Sequence, residues 1–175
     1  KCAIQQGDEH SMPVELNETK FPIHFERYQL REDSAGAGKY RGGLGIEIVA
    51  ALAVDGNMRN MMIRSQCKPW GVRGGKDGDG NEAFCISPEG TREQVGRTVS
   101  HELPAQWKIH LLTGGGGGYG DPYARPAEIV ARDVRAGYVS RASAMRDYGV
   151  ILTDPDLELD AGATEALRQE RVAEQ

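Results

Sequence analysis

The run Gly114-Gly115-Gly116-Gly117-Gly118-Tyr119-Gly120-Asp121-Pro122 constrains this chain more than any other stretch. Five consecutive glycines have no side chains to pack, and each loses more backbone freedom on folding than another residue would. A globular sequence keeps such a run where backbone passes very close to something, or where several residues need positive φ. The run leaves a strand-like segment, Trp107-Lys108-Ile109-His110-Leu111-Leu112, and leads to a helix-like one near Pro126. Two readings stand side by side. Backbone N–H groups could surround an anion here, or the run could be a tight crossing of chain segments. The second predicts a large cost for Gly116→Val.

Gly115-x-Gly117-x-x-Gly120 also satisfies the spacing of a dinucleotide-binding turn. That turn needs its last glycine inside the opening of a helix, within a βαβ unit. Here Asp121-Pro122 follows at once, and a residue before proline avoids the α region. No Gly-Lys-Ser/Thr closes the run as a Walker A loop would. Both nucleotide motifs are excluded.

Working upstream, the sequence reads as strands. Phe21 to Leu30, Ile46 to Val54, Asn57 to Ser65, Ala83 to Ser87, Thr98 to Leu103 and Lys108 to Leu112 carry β-favouring or alternating residues between turn signals. Asp55-Gly56 between two apolar runs predicts a hairpin. Downstream the pattern becomes helical. Pro126 to Ala136 stops at Gly137, Ser140 caps a helix from Arg141 to Tyr148 that Gly149 ends, and Asp160 caps a last helix through Val172. On that last helix, Thr164, Glu165 and Arg168 are expected to face solvent. The expected fold is mainly β, sandwich- or barrel-like with glycine-rich loops, and carries a short helical C-terminal tail. Residues 1–122 form its β-rich body and 123–175 the tail of the same domain.

Composition narrows the function. Of 175 residues, 23 are glycine, nearly twice the average of about 7 %. A net charge of −5 argues against a nucleic-acid binder, which would show a basic face. No apolar run approaches the roughly 20 residues of a membrane span, and the first residues lack the apolar core of a signal peptide. The expected location is cytoplasmic, with Cys2, Cys67 and Cys85 as free thiols. Without a Cys-x-x-Cys or a paired-histidine motif among His10, His24, His101 and His110, no metal site is assigned to this chain. No residue is assigned as catalytic.

Three glycine-dense loops remain: Gly36 to Gly45, Gly71 to Gly80 and Gly114 to Gly120. They carry Lys39, Tyr40 and Arg41, then Arg73 beside Trp70, then Tyr119 with Asp121 following. Loops at one end of a sandwich converge, so the three together suit contact with another chain or with a phosphorylated ligand.

At these loops the chain resembles the C-terminal part of the hydantoinase B/oxoprolinase family. The resemblance rests on Pro13-Val14-Glu15, Phe21-Pro22, Phe25 to Ser34, Gly36-Ala37-Gly38-Lys39-Tyr40-Arg41-Gly42-Gly43-Leu44-Gly45 and Pro69-Trp70-Gly71-Val72-Arg73-Gly74-Gly75. The glycine run through Pro122, Asp133 to Ser140 and Tyr148-Gly149-Val150 complete it. Ser11-Met12 departs from the Asn-Thr that the family commonly shows. The resemblance implies a small subunit or C-terminal portion of an ATP-dependent cyclic-amide hydrolase of the hydantoinase or 5-oxoprolinase type. It also admits part of an acetone- or acetophenone-type carboxylase, and a non-catalytic assembly subunit is the third alternative. The implied partners are a larger B-type chain or N-terminal portion with a divalent metal, and an A-type ATPase subunit that uses ATP. This chain alone is expected to bind no cofactor and to be inactive. Gly115, Gly116, Gly117, Tyr119 and Asp121 are expected to shape the reaction chamber, and Arg41 and Arg73 to face phosphorylated substrate or partner.

Overall fold

A computed structural model describes residues 12–173, so Cys2, His10 and Ser11 lie outside the described residues. A short helix α1 (Val14–Lys20) precedes seven strands: β1 (Ile23–Leu30), β2 (Ile46–Leu52), β3 (Gly56–Asn60), β4 (Glu82–Ile86), β5 (Arg92–Gln94), β6 (Thr98–Leu103) and β7 (Lys108–Leu112). Helices α2 (Ala127–Arg135), α3 (Arg141–Tyr148) and α4 (Ala161–Ala173) follow. Five strands form one antiparallel sheet in the order β1-β2-β7-β4-β5, and β3 with β6 forms a second. The molecule is thus mainly β with helices toward its C-terminus, as its strand spacing predicts. No helix among the described residues is long and apolar enough to cross a membrane.

The expected hairpin at Asp55-Gly56 does not form. Strand β2 has β1 on one edge and β7 on the other, as the Ala53 N–H to Pro22 carbonyl and Leu52 N–H to Trp107 carbonyl bonds at its end illustrate. With both edges taken, β3 pairs with β6 instead, in the register Gly56↔Leu103 and Met58↔His101. A local turn signal yielded to edge availability, which depends on distant strands.

The chain divides into two compact units. The first comprises residues up to Tyr28, Ile48–Met61 and Ala83–His110. Its core is small: Met58, Cys85, Val95 and Leu103, with Leu52, Trp107 and Ile109 packed against them. The second comprises Gln29–Glu47, Met62–Glu82 and everything from Leu111 onward. There Ala37, Val130, Ala131, Val134, Val139, Ala144, Tyr148, Val150 and Leu152 form the core. Burying each large aliphatic side chain contributes roughly 1.5–3 kcal/mol, so the helices are held chiefly by these apolar contacts.

The helix ends follow their residue chemistry. The Ser140 hydroxyl accepts the Ser143 N–H at 3.1 Å, and Gly149 closes α3 in the left-handed conformation at φ 60. Gly137, at φ 69, follows α2, and Asp160 Oδ1 accepts the Ala163 N–H at 2.9 Å at the head of α4. On α4 only Glu165 meets the solvent-facing expectation. Thr164 is buried, its hydroxyl accepting the Ile151 N–H at 3.0 Å. Arg168 donates to the carbonyls of Tyr148 and Arg125, each at 3.0 Å. The carbonyl left open at the end of α3 draws Arg168 inward, a demand that α4's own pattern cannot reveal.

Candidate functional site

The three glycine-dense loops are laced together in the second unit. The Gly116 N–H donates to the Gly43 carbonyl and the Gly116 carbonyl accepts the Gly36 N–H, both at 2.8 Å. On the other loop, the Gly118 N–H donates to the Lys76 carbonyl, and the Gly118 carbonyl accepts from Val72 N–H, both at 2.9 Å. Tyr40 and Tyr119 exchange backbone hydrogen bonds at 2.9 and 3.0 Å. Lys76 N–H, donating to Ala37 at 2.7 Å, and Asp79 N–H, donating to Ser34 at 2.8 Å, tie the outer loops to each other.

The run therefore lies between two other backbone segments with little room for side chains. A Cβ at Gly115, Gly117 or Gly118 would come within 3.0 Å of the carbonyl oxygen of Ser34, Trp70 or Ala37. Gly36, Gly42, Gly45, Gly71 and Gly75 are equally confined by backbone. Neighbours recur at a spacing of three: Gly115 and Gly118 both face the first loop, and Gly114 and Gly117 both face the second. That is the periodicity of extended three-residue-per-turn backbones, where only glycine fits a crowded axis. Of the run, only Gly120 has positive φ, at 74. The N–H groups of Gly114, Gly116, Gly118, Tyr119 and Gly120 all donate within the protein. Geometry thus favours the tight crossing over the anion cradle.

Around this lattice the polar candidates separate by environment. Arg41 turns inward: its Nε donates to Asp133 Oδ2 at 3.1 Å, its Nη1 to the Gly42 carbonyl at 2.8 Å, and its guanidinium lies 5.5 Å from the Tyr138 ring centroid. Arg125 reaches the same Asp133 oxygen at 2.8 Å. Asp133, only 5 % exposed, balances two guanidinium groups, a sharing for which the sequence carries no signal. Nearby, burial pushes the pKa of the Tyr148 hydroxyl up to about 12, so it stays protonated at neutral pH. Asp121 caps the 3₁₀ turn Pro122–Ala124 by accepting the Tyr123 N–H at 3.1 Å.

Arg73 and Tyr119 turn outward. Tyr119 is 43 % and Tyr40 62 % exposed, their ring centroids 6.2 Å apart. The Arg73 guanidinium lies 5.9 Å from the Tyr119 ring and the Lys39 ammonium 5.9 Å from the Tyr40 ring. The four side chains make a continuous cation–aromatic–aromatic–cation row. Lys39 and Tyr40 entered the sequence reading only as loop constituents. Their pairing depends on the Tyr40↔Tyr119 bridge, which no local pattern encodes. Among the described residues, no group of three or more His, Cys, Asp or Glu side chains is arranged to hold a metal ion.

Known proteins share this sequence pattern and fold. Residues 2–122 match the family model described as Hydantoinase B/oxoprolinase. An uncharacterised protein of Methanocaldococcus jannaschii is 39 % identical over 89 % of this chain and 28 % of its own length. A Pseudomonas protein, named as the B component of a putative D-/L-hydantoinase, is 31 % identical over 90 % of this chain and 27 % of its own. Among solved structures, the ATP-dependent caprolactamase from Pseudomonas jessenii superimposes with a TM-score of 0.79 at 29 % identity, over 91 % of this chain and 28 % of that one. The chain spans little more than a quarter of the length of these relatives.

Proposed function

This chain belongs to the hydantoinase B/oxoprolinase family, and from that membership we propose that it is a small subunit or C-terminal portion of an ATP-dependent cyclic-amide hydrolase. The supporting observation is the fold shared with an ATP-dependent caprolactamase over 91 % of this chain. Amide resonance gives the C–N bond partial double-bond character, making a lactam a poor electrophile. Transfer of a phosphoryl group from ATP to the amide oxygen, with loss of the N–H proton, gives an O-phosphoryl imidate. Water then adds to its carbon, phosphate leaves, and the ring-opened amino acid and ADP remain. In this reading an ATPase partner performs the transfer, and a larger metal-bearing B-type portion carries the following half-reaction. This chain supplies the rigid glycine lattice and the outward row of Lys39, Tyr40, Tyr119 and Arg73. Arg41 and Asp121 hold that lattice in place.

The test is ATP turnover by the assembled complex with 5-oxoproline, hydantoin and caprolactam, and separately with acetone or acetophenone plus bicarbonate. ADP release with stoichiometric ring opening is the expected result. Stimulation only by ketone plus bicarbonate would assign the chain to a carboxylase instead. An intact complex with unchanged turnover after Tyr119→Ala and Asp121→Ala would make this chain an assembly subunit.

A further inference from the structure

We propose that the row Lys39–Tyr40–Tyr119–Arg73 is a docking surface for a carboxylate-rich segment of a partner protein chain. This deepens, and rests on, the reading that the chain works inside a larger assembly.

The turn that carries Arg73 is the first argument. The Gly75 N–H donates to the Val72 carbonyl at 3.1 Å, closing a four-residue turn. Its two central residues, Arg73 and Gly74, have φ of 52 and 88. Positive φ at both central positions is the mark of a type I′ turn, which favours Asn, Asp or Gly. Arginine there holds an unfavourable backbone conformation that the surrounding structure enforces. The enforcement is visible: Val72 donates to the Gly118 carbonyl and accepts from the Gly120 N–H, both at 2.9 Å. The outcome is a guanidinium held over the exposed Tyr119 ring.

Charge is the second argument. The chain carries a net charge of −5, yet among the described residues neither Lys39 nor Arg73 has a carboxylate within ion-pair distance. Two uncompensated cations flank two aromatic rings on an otherwise acidic protein. The complementary surface is anionic with apolar or aromatic character between its charges. Tyrosine and arginine are among the residues enriched at protein interfaces, where rigid rings contribute large contact area. Mutual backbone bonds hold the two tyrosines side by side, so the loops that carry them need no ordering on binding.

Exposure decides the class of partner. Rings 43 % and 62 % exposed do not enclose a small ligand, which is bound in concave sites that bury most of its surface. Two cations on a chain of net charge −5 are too few for the evenly spaced phosphates of a nucleic-acid backbone, but match a short acidic segment. A protein segment rich in Asp and Glu satisfies both conditions.

The experiment uses the complex assembled in its native host. p-Benzoylphenylalanine replaces Tyr119, and in a second preparation Tyr40, and photo-crosslinks are mapped by mass spectrometry. The expected crosslink falls on a protein segment bearing at least two Asp or Glu side chains within a few residues. Crosslinks to an apolar segment, to nucleic acid, or to no chain at all would overturn the proposal. Arg73→Gly supplies an independent reading: relief of the positive-φ strain should raise the urea midpoint, while association weakens about tenfold or more. Lys39→Glu should weaken association without moving the midpoint. If both variants leave association unchanged, the surface is not an interface. Lactam-dependent ATP turnover is measured on the same material, so an interface without that activity refutes only the enzymatic reading.

Discussion

At Gly117 a methyl group would meet the Trp70 carbonyl, and at Gly115 that of Ser34, both closer than 3.0 Å. Backbone held by hydrogen bonds on both sides cannot swing aside as a flexible side chain would, so Gly115→Ala and Gly117→Ala should each destabilise by about 3 kcal/mol or more. Gly43 has open space around its Cβ direction. Gly43→Ala should therefore be neutral or slightly stabilising, through the lower entropy of its unfolded chain. Gly116 is intermediate, its nearest neighbour being Gly43 N at 3.2 Å. Urea midpoints of the four variants test the ordering, and equal effects would show that the lattice yields. The sequence pointed to the run and to a cost for Gly116→Val but could not rank its positions, because identical residues carry no register. Charge at this scale is equally specific. Burial raises the Asp147 carboxyl, but hydrogen bonds from Arg146 Nη2 at 2.7 Å and Lys76 Nζ at 2.6 Å outweigh it, leaving the group below the ordinary aspartate value. A carboxyl depressed on folding stabilises fully above its unfolded value, roughly 3.9. That contribution is lost as pH falls through the folded value. Asp147→Asn should thus lower stability at neutral pH and flatten its acid dependence below about pH 4, as read from urea midpoints across that range.

Among the helices, α3 is the one whose sequence and structure agree at every position of its ends. Its cap and stop are local: a hydroxyl one residue before the first turn, and a glycine able to take positive φ one residue past the last. Ser140→Ala should cost about 1 kcal/mol. Gly149→Ala should cost more, because an added methyl would sit on the Tyr123 ring, 2.5 Å from its Cε1, in addition to the left-handed backbone. Thermal unfolding of both variants orders the two effects, and a larger loss from Ser140→Ala would mean that Tyr123 moves away freely. Six of the seven strands among the described residues were equally legible, since alternation and turn residues are local properties; β5, with only exposed polar residues, gave no such signal. What escaped was partnership. Strand β3 joins β6 because β2 has no free edge. Arg168 turns inward to α3's terminal carbonyl at Tyr148, and Arg41 and Arg73, alike in their loops, separate only when Asp133 on α2 takes one of them. Each outcome is set by a residue tens of positions away, where one-dimensional periodicity carries no information.

At the scale of the molecule, the two compact units differ in what holds them. Among the described residues, nine buried ones form the core cluster of the second unit, reinforced by the glycine lattice and the ion pairs of Asp133 and Asp147. Among the described residues only four form that of the first, which holds the two-stranded β3–β6 sheet as well as much of the five-stranded one. Two-stranded sheets are marginal without packing, and regions with few buried apolar contacts open at lower free energy than the whole. The first unit should therefore open on its own below the global unfolding transition. Cys85 reports that event. It is fully buried in the smaller core, and burial raises its thiol above the ordinary value, so it should not react in the closed state. Cys67 is exposed and should be modified at once. Site-resolved alkylation at increasing sub-denaturing urea should show Cys85 modified well before amide protons of α2 and α3 lose protection. Simultaneous loss of both protections would mean that the two units unfold as one, and that the smaller core is no weaker a cooperative body than the larger.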